Sequence, residues 1–168
     1  IPLSFLYSTE FNQIKSDFMD FCLPNVKISN IEGTSYPEGE QLLKELVLKR
    51  MSQTLIEEEA LMKLIKASGG VIRELIKFLQ RSCLEAKAKQ EKMINEKSVE
   101  EVIKQEMIDF QRQLTDQQYE TLKRVHRVKG IGKDETVLEL LHNLCLLEYL
   151  NGERWYAIHP AILPLISG

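Results

Sequence analysis

Ala67-Ser68-Gly69-Gly70-Val71-Ile72-Arg73-Glu74-Leu75-Ile76-Lys77-Phe78-Leu79 sets two adjacent glycines between two apolar helical patterns, with an arginine just beyond them. Before the pair, Ala60, Leu61, Leu64 and Ile65 recur at helical spacing, and Gly69 suits a left-handed C-terminal cap. After it, Ile72, Leu75, Ile76, Leu79, Cys83 and Ala86 form the stripe of a long helix that starts near Gly70. Arg73 therefore stands about one turn inside a helix N-terminus, where backbone N–H groups and the helix dipole favour anions. A guanidinium there is a permanently charged fork that can reach a phosphate. The alternative is a solvent-facing cation on an amphipathic helix.

Working outward, an earlier helix begins at Pro37, with Leu42, Leu43, Leu46, Val47 and Met51 on one face. The charged run Ala86-Lys87-Ala88-Lys89-Gln90-Glu91-Lys92-Met93-Ile94-Asn95-Glu96-Lys97 reads as a solvated helix end and linker. Ser98-Val99-Glu100-Glu101 has the form of a capping box opening a fourth helix, along which Val99, Val102, Ile103, Met107 and Phe110 follow. Four such helices make a small bundle. Ahead of them, Leu3, Phe5 and Leu6 and the run from Cys22 to Ile31 read as two strands flanking a helix, the second closing at Gly33. Without an initiator methionine, Ile1-Pro2-Leu3-Ser4-Phe5-Leu6-Tyr7-Ser8 reads as a strand end within a longer protein.

Beyond the bundle, Thr115 and Gln118 repeat the box pattern, and Tyr119, Leu122 and Val125 line the helix that follows. Thr136, Val137, Leu140, Leu141 and Leu144 line the next helix. Leu146-Leu147-Glu148-Tyr149-Leu150 and Arg154-Trp155-Tyr156-Ala157-Ile158 are β-prone runs around Asn151-Gly152, a strong hairpin signal. Helices followed by a hairpin suggest a winged helix.

The 168 residues are 43% hydrophobic and 28% charged, with a formal charge of −3, which argues against a wholly basic nucleic-acid binder. Cys22, Cys83 and Cys145 lie far apart in apolar contexts and read as reduced, mostly buried thiols of a cytosolic protein. Neither a membrane span nor a signal peptide is evident. Gly130-Ile131-Gly132-Lys133-Asp134-Glu135 fails as a phosphate loop: its glycines are too close, Asp134 stands where Ser or Thr must hold magnesium, and a helix precedes it. His126, His142 and His159 miss zinc spacing with the cysteines, so no metal site is expected. No nucleophile motif is present, and the chain alone is not expected to be an enzyme.

The segment from Gly69 to Ser82, GGVIRELIKFLQRS, resembles the sensor-2 region of AAA+ ATPases, in which an arginine heading the third helix of a small lid domain faces the nucleotide phosphates. The order of elements is similar to that of origin-recognition-type and related signalling ATPases. The resemblance implies a mainly α chain: a short α/β remnant of the nucleotide-binding core over 1–35, a four-helix lid-type bundle over 36–112, and a winged-helix domain over 113–168. It assigns nucleotide sensing to Arg73, with Gly69 and Gly70 at its turn, and offers Ser4 or Ser8 as the sensor-1 group. It also implies a parent ATPase that uses ATP or ADP with Mg, supplied by an N-terminal core. Walker A, Walker B and an arginine finger are not found in this chain, which is expected to bind no nucleotide by itself.

The C-terminal segment presents two faces to a partner. Lys123, Arg124, Arg127 and Lys129, with Arg154 and Trp155 in the wing, are candidate contacts to nucleic acid or protein. The candidate reading helix, Asp134 to Leu147, carries Asp134, Glu135 and Glu139, with Glu148 just beyond, and these acids oppose phosphate. A protein partner is therefore favoured over DNA. The alternative reading is a DNA-binding winged-helix protein whose helical bundle serves dimerisation.

Overall fold

Hydrogen bonding of the backbone between Val26 and Tyr36 is the first departure from the expected order. In the computed structural model, which describes residues 9–14, 24–128, 131, 134–151 and 153–166, this run is not a strand of a sheet. It makes a single antiparallel bridge, Ser29 with Ser35, around a turn in which Gly33 takes φ +88°. Within the run, Tyr36 N–H donates to the Ile28 carbonyl at 2.9 Å and Asn30 N–H to that of Thr34 at 2.8 Å, and outside it Val26 N–H donates to the Gly70 carbonyl at 3.1 Å. The extended β-branched run thus folds back on itself and adds one backbone bond to a helical junction instead of joining a sheet. The strand expected around Leu3, Phe5 and Leu6 lies outside the described residues.

The described elements are α1 (Thr9–Ile14), α2 (Pro37–Leu48), α3 (Glu58–Ala67), α4 (Ile72–Ala88), α5 (Glu96–Gln113), α6 (Asp116–Val128), α7 (Glu135–His142), β1 (Leu146–Asn151), β2 (Glu153–Ile158) and α8 (Leu163–Ile166). The protein is thus mainly helical, with a two-stranded antiparallel sheet towards its C-terminus. Contacts divide it into two units: Val26–Gln113 with His159–Gly168, and Ile1–Asn25 with Leu114–Ile158. Residues from His159 onward group with the helices of the first unit rather than with the hairpin that precedes them.

The core of the helical unit is built from Leu43 and Val47 of α2, Ala60, Leu61, Leu64 and Ile65 of α3, Leu75, Phe78 and Ala86 of α4, and Val99 and Val102 of α5. Leu42, expected on the α2 core face, is 55% exposed, because Gly39, Leu43 and Val47 set that face and Leu42 is turned about 100° from it. On α4 the buried stripe includes Leu75, Phe78, Ser82 and Ala86, which turns Ile72 and Cys83 outward. Cys83 is therefore exposed, contrary to the expectation of a buried thiol, whereas Cys145 is buried and its thiol is pushed up to about 12 by burial. Cys22 lies outside the described residues.

The start of α5 also differs from expectation. Asn95 is the cap: its Oδ1 accepts the Ser98 N–H at 3.0 Å, while a Glu57 carboxylate oxygen accepts the Glu96 N–H at 3.2 Å. Ser98, read from sequence as the cap, lies within the first turn and donates its hydroxyl to Glu91 at 2.7 Å. The run 86–97 is consequently not a linker. Ile94 is buried, donates its N–H to the Leu55 carbonyl at 2.8 Å, and accepts the Glu57 N–H at 2.9 Å.

In the other unit, the box at Thr115 forms reciprocally. Gln118 N–H donates to Thr115 Oγ1 at 3.3 Å, and Thr115 N–H donates to Gln118 Oε1 at 3.0 Å. Leu122 and Val125 of α6 and Val137 and Leu140 of α7 bury one face of each helix. The hairpin pairs Leu146 with Ile158 through to Asn151 with Glu153. Its directly paired Tyr149 and Trp155 rings stack at 4.3 Å and 14°.

His159 is fully buried in the helical unit, with its ring centroid 5.0 Å from that of Phe110 and 6.5 Å from that of Phe78. Its Nδ1 accepts the Ala161 N–H at 3.2 Å, so Nε2 carries the proton, and Nε2 has no partner among the described residues. Burial, then the Lys77 charge, lowers its pKa from 6.5 to about 4. Between these values the unfolded chain takes up a proton that the folded chain refuses, so stability declines as pH falls from 6.5 towards 4. The loss reaches about 3 kcal/mol at ~1.4 kcal/mol per pH unit. Urea unfolding across this window should show His159→Leu losing less stability than the parent chain; parallel profiles would assign the acid sensitivity elsewhere.

Candidate functional site

The junction between α3 and α4 is held by backbone hydrogen bonds together with the Ser68 hydroxyl. Ser68, fully buried, donates its hydroxyl to the Ile65 carbonyl at 2.7 Å and accepts the Gly70 N–H at 3.2 Å. Gly69 N–H donates to the Lys66 carbonyl at 3.2 Å, and Val71 N–H to that of Ser68 at 3.0 Å. Gly69 and Gly70 both take left-handed φ, +59° and +79°, which glycine adopts without penalty. Gly70 has a second reason to be glycine: a Cβ there would stand 1.8 Å from the Val26 carbonyl oxygen.

From this junction α4 begins with Val71 as its N-cap residue, and no side chain caps it. Leu75 N–H donates to the Val71 carbonyl at 3.0 Å, which leaves the N–H groups of Ile72, Arg73 and Glu74 ahead of that first α-helical bond. Arg73 is the second residue of the helix and is exposed, with no ion pair among the described residues. The neighbouring charges are matched in pairs. Buried Glu106 accepts from Lys77 at 2.8 Å and from Arg81 at 2.5 Å, and Lys77 lies 3.4 Å from buried Glu74. The unmatched charge at this end of α4 is Arg73. Ser4 and Ser8 lie outside the described residues.

Sequence reasoning singled out Gly69, Gly70 and Arg73 but missed Ser68 and the Glu74–Lys77–Glu106–Arg81 cluster. The i,i+3 spacing of Glu74 and Lys77 was available as a signal, whereas nothing local marks Glu106 as their partner. Among the described residues, the Arg73 guanidinium and the N–H groups of Ile72, Arg73 and Glu74 are donors of the kind that an anion takes. Among the described residues no group of three or more His, Cys, Asp or Glu could hold a metal ion.

The cations of the other unit are occupied to differing degrees. Lys123 pairs with Glu120 at 2.9 Å and Arg124 with Asp134 at 3.2 Å, while Arg127 donates through Nε to the Lys123 carbonyl at 3.4 Å. Arg154 lies 3.4 Å from the buried Glu148 carboxylate, and Trp155 is buried on Tyr149. Lys129 lies outside the described residues. Asp134 caps α7, accepting the Val137 N–H at 2.9 Å. The helix ends at His142, short of the Leu147 expected, because Leu144 takes φ +59° and the chain enters β1. Glu135 and Glu139 remain exposed on it.

No helix among the described residues is long and apolar enough to cross a membrane. Compared with protein-family models, with curated proteins and with solved structures, the chain matches none.

Duplex DNA should bind the chain weakly and without sequence preference at physiological salt, because Lys123 and Arg124 are already paired with acids and α7 exposes Glu135 and Glu139. Competition binding in 150 mM salt checks this; more than about tenfold discrimination between unrelated duplexes would contradict it, since specific readers exceed that ratio by orders of magnitude.

Proposed function

We propose that the chain is the regulatory C-terminal part of a cytosolic AAA+ ATPase, with 36–112 as a helical lid and 113–168 as a winged helix that contacts a protein partner. The observation that carries this reading is Arg73: an exposed, unmatched cation in the first turn of a helix without a side-chain cap, held by a glycine junction whose backbone geometry is tightly determined. A guanidinium so placed recognises phosphate oxygens, and the adjacent N–H groups and helix dipole act in the same direction. ATP with Mg, bound mainly by the core of the intact protein, would supply the phosphate charge. Arg73 would bind that charge and draw the lid inward, and the two-state closure would be relayed to the winged helix. The pairing of Lys123 and Arg124 with acids supports a protein partner over DNA.

The isolated chain should neither hydrolyse ATP nor bind it usefully, since one arginine cannot replace a phosphate loop, its lysine and magnesium. In the intact protein, Arg73→Ala should change the unfolding free energy by no more than an ordinary surface substitution does, about 0.5 kcal/mol. Nucleotide-dependent turnover should fall by about tenfold or more, as expected for a lost charge-assisted hydrogen bond of roughly 1.5–3 kcal/mol. Unfolding of the variant would make Arg73 structural; unchanged turnover with an intact fold would make it an ordinary surface cation.

A further inference from the structure

The run read from sequence as a linker forms one wall of a cavity of about 320 Å³ at the C-terminal end of α4. Its apolar lining comes from Met51, Leu55, Ala86, Met93 and Ile94, drawn from three separate stretches of the helical unit. Backbone bonds between Leu55, Glu57 and Ile94 clamp two of these stretches together, so the cavity is built into the fold. Leu55, in that lining, is itself 48% exposed. Methionine side chains adapt their shape to an entering apolar group.

Charge at the cavity is biased in sign. Lys87 and Lys92 line it, are exposed and have no ion pair among the described residues. The third lysine of the run, Lys89, is satisfied by Glu85 at 3.3 Å and by Glu101 at 2.5 Å. The acid of the lining, Glu91, accepts the Ser98 hydroxyl at 2.7 Å, and hydrogen bonds from Ser98 and Asn95 hold its carboxyl below the usual range. Two free ammonium groups therefore flank an apolar depression deep enough for one or two side chains.

We infer that this cavity, between α4 and the 90–94 loop, is a docking site for an acidic amphipathic segment of another protein, which seats an apolar anchor among Met51, Leu55 and Met93 and sets carboxylates against Lys87 and Lys92. Helix-in-groove recognition has this form, with apolar anchors supplying affinity and flanking charges supplying register and on-rate. The site is independent of Arg73 and of the proposed nucleotide response. Cys83 lines the same cavity and is exposed, so it reports occupancy.

The test uses the full chain with a panel of designed amphipathic peptides bearing Leu or Phe anchors at helical spacing and Glu between them, and the same peptides with every Glu replaced by Lys. Alkylation of Cys83 by N-ethylmaleimide, followed by mass spectrometry, should slow at least tenfold with an acidic peptide and little with its lysine counterpart. The double variant Lys87→Glu/Lys92→Glu, checked for unchanged thermal unfolding, should lose that protection and prefer the lysine peptide. Absence of protection by every acidic peptide would overturn the proposal, as would equal protection by both peptide series. Protection that rises with protein concentration alone, without peptide, would assign the site to a second copy of the chain and overturn it equally.

Discussion

The contact between the Val26 backbone and Gly70 is the constraint on which the helical unit depends. Val26 N–H bonds to the Gly70 carbonyl, and the Val26 carbonyl oxygen sits where a Cβ of residue 70 would be. The same extended run meets α2 in the same way, since a Cβ at Gly39 would stand 1.7 Å from the Lys27 carbonyl oxygen. Two glycines thus let one segment lie against α2 and the α3–α4 junction at backbone contact distance. That segment brings Ile28 into the core and fixes where α4 begins. Packing of this kind admits little adjustment, because interiors have few voids and backbone cannot swing aside as a long side chain can.

The position of Arg73 follows from that junction. With Ser68 buried and bonded on both sides and both glycines left-handed, the first turn of α4 has a determined direction, and the guanidinium extends from it into solvent. The charge cluster one turn further on, Glu74, Lys77, Glu106 and Arg81, ties α4 to α5 with no net charge, leaving the helix start electropositive. Fold and proposed function therefore rest on different groups: backbone and buried polar atoms hold the junction, while an exposed side chain is free to respond to phosphate. At the opposite end of α4, Lys87 and Lys92 beside an apolar cavity repeat that division of labour.

Local signals were legible in the sequence, and long-range partners were not. The Thr115–Gln118 box, the hairpin on either side of residue 152 and the left-handed cap at Gly69 are each specified by neighbouring residues, and each forms. Ser98 matches a capping pattern equally well, yet Asn95 caps α5, because Glu57, distant in sequence, completes the set of acceptors at that helix start. On α4 the apolar letters give the wrong helical phase, since Phe78 and Ser82 face the core and Cys83 does not; a stripe of apolar letters does not reveal a buried serine. The run from Val26 looked like a strand because β-branching signals extension without naming the partner. At the candidate site, Arg73 and the glycine pair were readable, but the reason for Gly70 was not, since it lies in the carbonyl of a residue far back along the chain.

Unfolding free energies of Gly70→Ala and Gly33→Ala, measured side by side, separate close packing at Gly70 from its backbone angle. Both positions have similar left-handed φ, +79° and +88°, so each substitution carries the same conformational cost, about 1–2 kcal/mol. Space separates them: a Cβ at Gly33 meets nothing within 4 Å, whereas one at Gly70 meets Val26. Gly70→Ala should be the more destabilising by a further ~1–3 kcal/mol, the typical cost of overpacking. Hydrogen exchange at the Val26 amide should be faster in that variant alone. Equal costs with unchanged Val26 exchange would show that Gly70 serves only its backbone angle, and that the start of α4 does not depend on the segment packed against it.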